Sequence, residues 1–295
     1  MSQTLEPAIR VRVDPTNPGQ FFACCGLLEL ADRLWDGAEG WFCKQGLDFI
    51  LRPIEVRPDS TASLLVRKIT RCQLTNTMTD AQLQRRAKLS SMSKKQREAT
   101  PSLDAEKKVL DTLWREAPIL LHAPFNLQLD WFVDDRAGGH MFKTWAGQQS
   151  VLDIASGMKA SVGTNEWIAI PPENWLSKYS KTDCLPFNFD SDLGGIGSDC
   201  DVGFSFDQLQ TISVQTRPLV ELLAFVGLQR FWPVRIAMTN HYRFALWFDP
   251  LVPEIAATAA CDLLDSPDSR AFEFQLLYRT KYLKSFLPAT PITRS

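Results

Sequence analysis

The chain has 295 residues, 45% of them hydrophobic, which is enough for two domains of ordinary size and too apolar for general disorder. Its formal net charge of -2 excludes a uniformly basic nucleic-acid binder, so any contact with phosphate must come from a local patch. Seven cysteines without a Cys-x-x-Cys pair, and three histidines, exclude zinc-finger spacing and fit free thiols in a reducing, cytoplasmic setting.

In chain order, Ala8 to Val13 alternates apolar and charged residues, the period-two mark of a half-buried strand. Asp14 to Gly19 breaks it, and Asn17 with Pro18 predicts the start of an apolar helix over Phe21 to Trp35. In that helix Phe22, Cys25, Leu28 and Leu30 are expected to pack, with Glu29, Asp32 and Arg33 facing out. Two short strands, Glu39 to Cys43 and Leu47 to Leu51, are followed by a basic helical stretch from about Thr61 to Trp114, broken near Pro101. A strand within Ile119 to Val133, clearest at Leu127 to Phe132, closes this part.

The C-terminal third repeats the order of elements. It reads as a strand at Asp201 to Phe206, an apolar helix at Pro218 to Phe231 and a hairpin of Val234–Met238 and Tyr242–Phe248. A helix at Pro253 to Leu264 and an alternating strand at Phe272 to Leu276 follow. Ala23-Cys24-Cys25-Gly26-Leu27 and Ala224-Phe225-Val226-Gly227-Leu228 share a pattern, and a glycine inside each helix suggests close packing of helix against sheet. Between the two parts lie a glycine-rich turn at 137–139, a helix from about Trp145 to Ala160, and a long loop from Gly163 to Gly203.

The expected fold is therefore α+β: two ferredoxin-like (RRM-like, β-α-β-β-α-β) units with an inserted loop and helix region. The segments are an N-terminal unit over 1–133, a connecting region over 134–200 and a C-terminal unit over 201–295.

Four features can carry chemistry. Between Arg67 and Glu98 stand nine cations, Arg67, Lys68, Arg71, Arg85, Arg86, Lys88, Lys94, Lys95 and Arg97, against two acids, a net of +7. Such a strip can neutralise backbone phosphates, although runs of this kind are commonly solvated faces. The stretch Asp135 to Trp145 offers His140 and Lys143 for phosphate and Trp145 for stacking on a base, with a packed tryptophan as the plainer reading. His140 and His241 are candidates for an acid/base group of a metal-independent ribonuclease. The aspartates around Gly194-Gly195-Ile196-Gly197 lack EF-hand spacing and a closing Glu, so no metal is expected, nor any cofactor. The run Tyr278 to Phe286 mixes basic and aromatic residues, which suits phosphate contact plus stacking as well as plain packing on a sheet.

Several stretches carry a resemblance: Asn17-Pro18-Gly19-Gln20-Phe21-Phe22-Ala23-Cys24-Cys25-Gly26-Leu27-Leu28-Glu29, Lys143 to Ser150, Asp201-Val202-Gly203-Phe204-Ser205, and Glu221 to Phe231. Together they resemble a family of RAMP-type proteins encoded in type I-G (formerly I-U) CRISPR loci. The resemblance implies ferredoxin-like, RRM-like domains and a role in antiviral defence. It implies CRISPR RNA as partner, with other effector subunits and target DNA as further candidates. No stretch of about 18 uncharged apolar residues exists, so no membrane span is expected. The leading expectation is a non-catalytic RNA-binding subunit of a type I surveillance complex. A metal-independent endoribonuclease acting on repeat RNA and a protein–protein adaptor are the alternatives. The resemblance assigns no catalytic residue.

Overall fold

The computed structural model describes residues 9–45, 47–56, 60–132, 142, 144–145, 150–163, 165–182, 184–194, 199–200, 204–205, 214–236, 239–264, 268–278 and 284–292. The architecture is α+β, with small antiparallel sheets around two buried helices.

The N-terminal part runs β1 (Ile9–Arg12), α1 (Pro18–Trp35), β2 (Ala38–Phe42) and β3 (Asp48–Pro53). Its sheet has the order β1-β3-β2, both pairs antiparallel, with Val11 opposite Phe49 and Gly40 opposite Leu51. The alternation in β1 does what its period requires: Ile9 and Val11 are buried, Arg10 and Arg12 exposed. Asn17 caps α1 by accepting from the Gln20 N–H at 3.3 Å, and Asp36, in the left-handed region at φ 59, ends it.

The basic stretch forms α2 (Ala62–Arg71), β4 (Leu74–Asn76), α3 (Asp80–Ser91), α4 (Lys94–Glu98) and α5 (Pro101–Glu116), followed by β5 (Ile119–Leu121) and β6 (Leu127–Leu129). The strand expected to close the first sheet joins a different one: β4, β5 and β6 form their own antiparallel sheet. Strand β6 stops at Leu129, and Trp131 and Phe132 beyond it are buried in the core rather than paired in a sheet.

The middle region contributes α6 (Val151–Val162), α7 (Asn165–Ala169), β7 (Ser180–Thr182) and the single turn α8 (Ser191–Gly194). Helix α6 begins later than the apolar pattern predicts because Ser150 caps it, accepting from the Asp153 N–H at 3.3 Å. Strands β8 (Asp199–Cys200) and β9 (Phe204–Ser205) pair with each other, and β10 (Val214–Thr216) pairs with β7. The strand expected at 201–206 is thus a two-residue arm of a small hairpin.

The C-terminal part is α9 (Pro218–Gly227), β11 (Val234–Arg235), β12 (His241–Leu246), α10 (Pro253–Ala260), β13 (Arg270–Tyr278), β14 (Lys284–Phe286) and β15 (Thr290–Pro291). The hairpin β11–β12, the helix and the closing strand fall where the sequence puts them. Strand β12 pairs directly and antiparallel with β13, whereas a β-α-β-β-α-β unit would place its first strand between them.

Helices α1 and α9 cross in the middle of the molecule. Every residue of α9 is buried, and so is α1 from Pro18 to Ala31. The glycines of the paired motif lie at this crossing, so the close approach they permit is helix to helix, not helix to sheet. Glu29 is not outward-facing as its helical position suggests. It is 3% exposed and takes Arg33 Nε at 2.7 Å and Arg230 Nε at 2.6 Å, which lets a carboxylate sit inside. One buried cluster runs from Ile9 to Ala289, so the three segments read from the sequence share a single core. Aromatic contacts fix it, among them Phe21 on Phe244 with centroids 4.2 Å apart. Helices α3 and α5 share a separate, smaller cluster of Met78, Leu89, Leu110 and Ala117.

Candidate nucleic-acid interface

The nine cations of the basic strip divide into two groups. Five are exposed and, among the described residues, form no ion pair: Arg67, Lys68 and Arg71 on α2, Lys88 on α3 and Lys95 on α4. Helix α2 explains the first three. Leu65, Val66, Ile69 and Thr70 bury one face, so Arg67, Lys68 and Arg71 are left together on the other, with Arg67 and Arg71 one turn apart. Thr61 sets the register of that helix by accepting from the Leu64 N–H at 3.3 Å.

The other four are held by the chain's own groups. Arg85 binds Glu106 through two parallel bonds, Nε to Oε1 at 2.8 Å and Nη2 to Oε2 at 2.6 Å. Arg86 donates to Asp111 at 2.9 Å and lies over the Trp114 ring, 4.6 Å from its centroid. Arg97 donates to the Leu89 and Met92 carbonyls and sits 4.0 Å from Asp104. Lys94 is 3.6 Å from Glu98. The hydrogen bond from Arg85 holds the Glu106 carboxyl below its ordinary range. Arg85, Arg86 and Arg97 therefore fasten α3 and α4 to α5. To grip phosphate, as the sequence suggests, each would first have to leave a bound acceptor. The acids responsible lie in α5, beyond the Arg67 to Glu98 stretch that carries the net positive charge.

The expectation that Trp145 stacks on a base is corrected. Trp145 is 1% exposed and packs against Trp131, Phe132, Phe187 and Phe189, with centroids 5.1 to 6.4 Å away. With its ring enclosed in the core, Trp145 offers no face to a base. It precedes α6 instead of starting it. Lys143 and His140 lie outside the described residues.

His241, the first residue of β12, has its Nδ1 2.7 Å from Oε1 of Glu273 on β13. The imidazole is 40% exposed. A carboxylate at Nδ1 fixes ring orientation and tautomer, leaving Nε2 toward solvent. His122 is engaged elsewhere, with Nε2 2.8 Å from the Thr75 hydroxyl.

One buried polar centre brings together residues that belong to separate sequence motifs. Asp190, fully buried, accepts from Asn17 Nδ2 at 2.8 Å and from Arg217 Nε at 2.6 Å, with a further bond from Arg217 Nη2. Arg217 Nη2 also reaches Asp192 at 2.5 Å, so both of these aspartates beside the glycine-rich loop are committed to an arginine. Glu221 accepts the N–H groups of Phe189 at 3.3 Å and Asp190 at 3.0 Å. Burial pushes Glu221 up to about 8, the nearby Asp190 charge adding to it, while those two N–H groups work against the rise. Burial lowers the basicity of Arg217, but the bond to Asp190 outweighs it and leaves the guanidinium more basic than usual. These groups tie the N-termini of α1 and α9 to the 187–192 segment. Asn17 and Asp190 are 173 positions apart, which explains why no local pattern marks the pair.

Among the described residues, no group of three His, Cys, Asp or Glu side chains is placed to hold a metal ion, and no helix is long and apolar enough to cross a membrane. No family model, curated protein or solved structure matches the chain.

Proposed function

We propose that this chain is an RNA-binding subunit of a type I CRISPR effector complex, as the motif resemblance implies, and that it touches the phosphate backbone through Arg67, Lys68 and Arg71, with Lys88 and Lys95 as outlying contacts. The observation that carries the reading is the α2 face. Three cations stand together without an internal partner among the described residues, on a chain whose overall charge is slightly negative. The order β1-β3-β2 is that of the first three strands of a ferredoxin-like unit, which favours such a unit at the N-terminal end. Phosphate contact of this kind is salt-dependent. RNA affinity measured from low to moderate salt should fall steeply for the unaltered chain. A flat response, or equal affinity after Arg67, Lys68 and Arg71 become Ala, rejects the interface.

One observation favours a second reading, a metal-independent endoribonuclease: the carboxylate-oriented imidazole of His241. Incubation with repeat RNA in excess chelator decides between them. Cleavage that disappears in His241→Ala supports the enzyme, and intact RNA supports the binding subunit.

A further inference from the structure

We infer that the outer face of the C-terminal sheet holds a site for a phosphate group, gripped by the Arg243 guanidinium and by Nε2 of His241, with Glu273 as the residue that positions the imidazole. The site is separate from the α2 face and does not depend on it.

Register places the groups. In β12 and β13, Arg243 stands directly opposite Glu273 and His241 directly opposite Gln275. Residues opposite one another in an antiparallel pair share a face, so these four side chains lie together. The alternate residues Tyr242, Phe244 and Phe274 are buried on the other face, which packs on the core. An Arg opposite a Glu at this spacing would ordinarily form the cross-strand ion pair. Here it does not. Glu273 gives its Oε1 to His241, the diagonal neighbour, and Arg243 makes no ion pair among the described residues. Arg243 Nε is shielded from solvent and has no hydrogen-bond partner among the described residues.

A guanidinium that makes no ion pair on a sheet face keeps its remaining donors for an acceptor from outside. The acceptor that suits a guanidinium fork is an oxyanion with two oxygens to offer. His241 supplies a second donor beside it. With Nδ1 held by the carboxylate, Nε2 is the ring nitrogen left for a ligand, and it donates to an oxyanion in the imidazolium form of the ring. The other arginine at this hairpin, Arg235, is already engaged, donating from Nε to the Thr239 carbonyl at 2.8 Å. Glu273 is the carboxylate directly opposite Arg243, and its Oε1 is engaged by the imidazole.

The shared chemistry is a phosphate oxyanion, whether free or part of a nucleic-acid backbone. The test is an NMR titration of the full chain at constant ionic strength, following the His241 imidazole resonances, which are assigned from their loss in His241→Asn. Two probes are used in parallel: inorganic phosphate and a short single-stranded RNA. A saturable shift at His241 with either probe, weakened about tenfold in Arg243→Gln and less in Arg243→Lys, is the expected result. A response to phosphate but not to RNA identifies a free-anion site; a tighter response to RNA identifies a backbone contact. Circular dichroism of each variant excludes misfolding as the cause. No saturable shift with either probe, or equal affinity in Arg243→Gln, overturns the inference. The variant with Ala at 67, 68 and 71 should keep the His241 response, so failure of the helical face and failure of this site are read separately.

Discussion

Gly26 and Gly227 face each other across the crossing of α1 and α9, each lying against a carbonyl of the other helix. A Cβ on Gly26 would fall 2.0 Å from the Leu223 oxygen, and one on Gly227 would fall 2.1 Å from the Phe22 oxygen. The contact is reciprocal: each carbonyl lies four residues before the opposing glycine. Either helix can approach only because both positions lack a side chain. Gly26→Ala and Gly227→Ala should therefore each destabilise the fold by roughly 2–3 kcal/mol, since the obstacle is backbone and cannot rotate away. The usual gain of about 1 kcal/mol for Ala over Gly in a helix offsets only part of this. Chemical denaturation measures it, and a neutral or stabilising result would show that the crossing has room to spare.

The Asp190–Arg217 pair gives a second expectation. Removing one member strands a buried charge, so Arg217→Met should lower stability by roughly 3–5 kcal/mol. Asp190→Asn combined with Arg217→Met should be milder than Arg217→Met alone, because no uncompensated carboxylate remains at position 190. A double-variant cycle in urea reads the coupling.

Glu221 makes stability depend on pH in an unusual direction for a carboxylate. Its folded-state value is raised from 4.5 to about 8, so between those limits the folded chain holds a proton that the unfolded chain has released. Stability from this group is complete at acid pH below 4.5 and is lost as pH rises through about 8. Unfolding free energies measured at intervals across that window should decline, and Glu221→Gln should flatten the decline. An equal slope in the variant assigns it to other groups.

The division of the basic strip predicts opposite phenotypes for neighbouring arginines. Changing Arg67, Lys68 and Arg71 to Ala should reduce the salt dependence of RNA binding by about 2 in the log–log slope, at roughly 0.7 for each single-strand phosphate no longer neutralised. Changing Arg85 and Arg86 to Ala should instead lower the thermal midpoint by loosening α3 from α5, with RNA affinity near that of the unaltered chain. Parallel melting curves and salt titrations on both variants separate the roles, and a drop in RNA affinity confined to the second variant would reverse the assignment.

What the sequence determined by itself was local. Period and capping placed β1, α1, α9, the β11–β12 hairpin, α10 and β13, because hydrophobic alternation, Asn17 and the prolines at 18, 218 and 253 act within a few residues. It also marked the glycine motif and the concentration of cations. Tertiary structure alone decided which surfaces those glycines join, which sheet receives the strand at Leu127, and which arginines remain unpaired. The first and last of those outcomes depend on a partner tens to hundreds of positions away, Leu223 for Gly26 and Glu106 for Arg85, as does the pairing of Asn17 with Asp190. A cation in the sequence carries a charge; whether that charge is offered to a ligand is set by the carboxylate that folding brings, or does not bring, beside it.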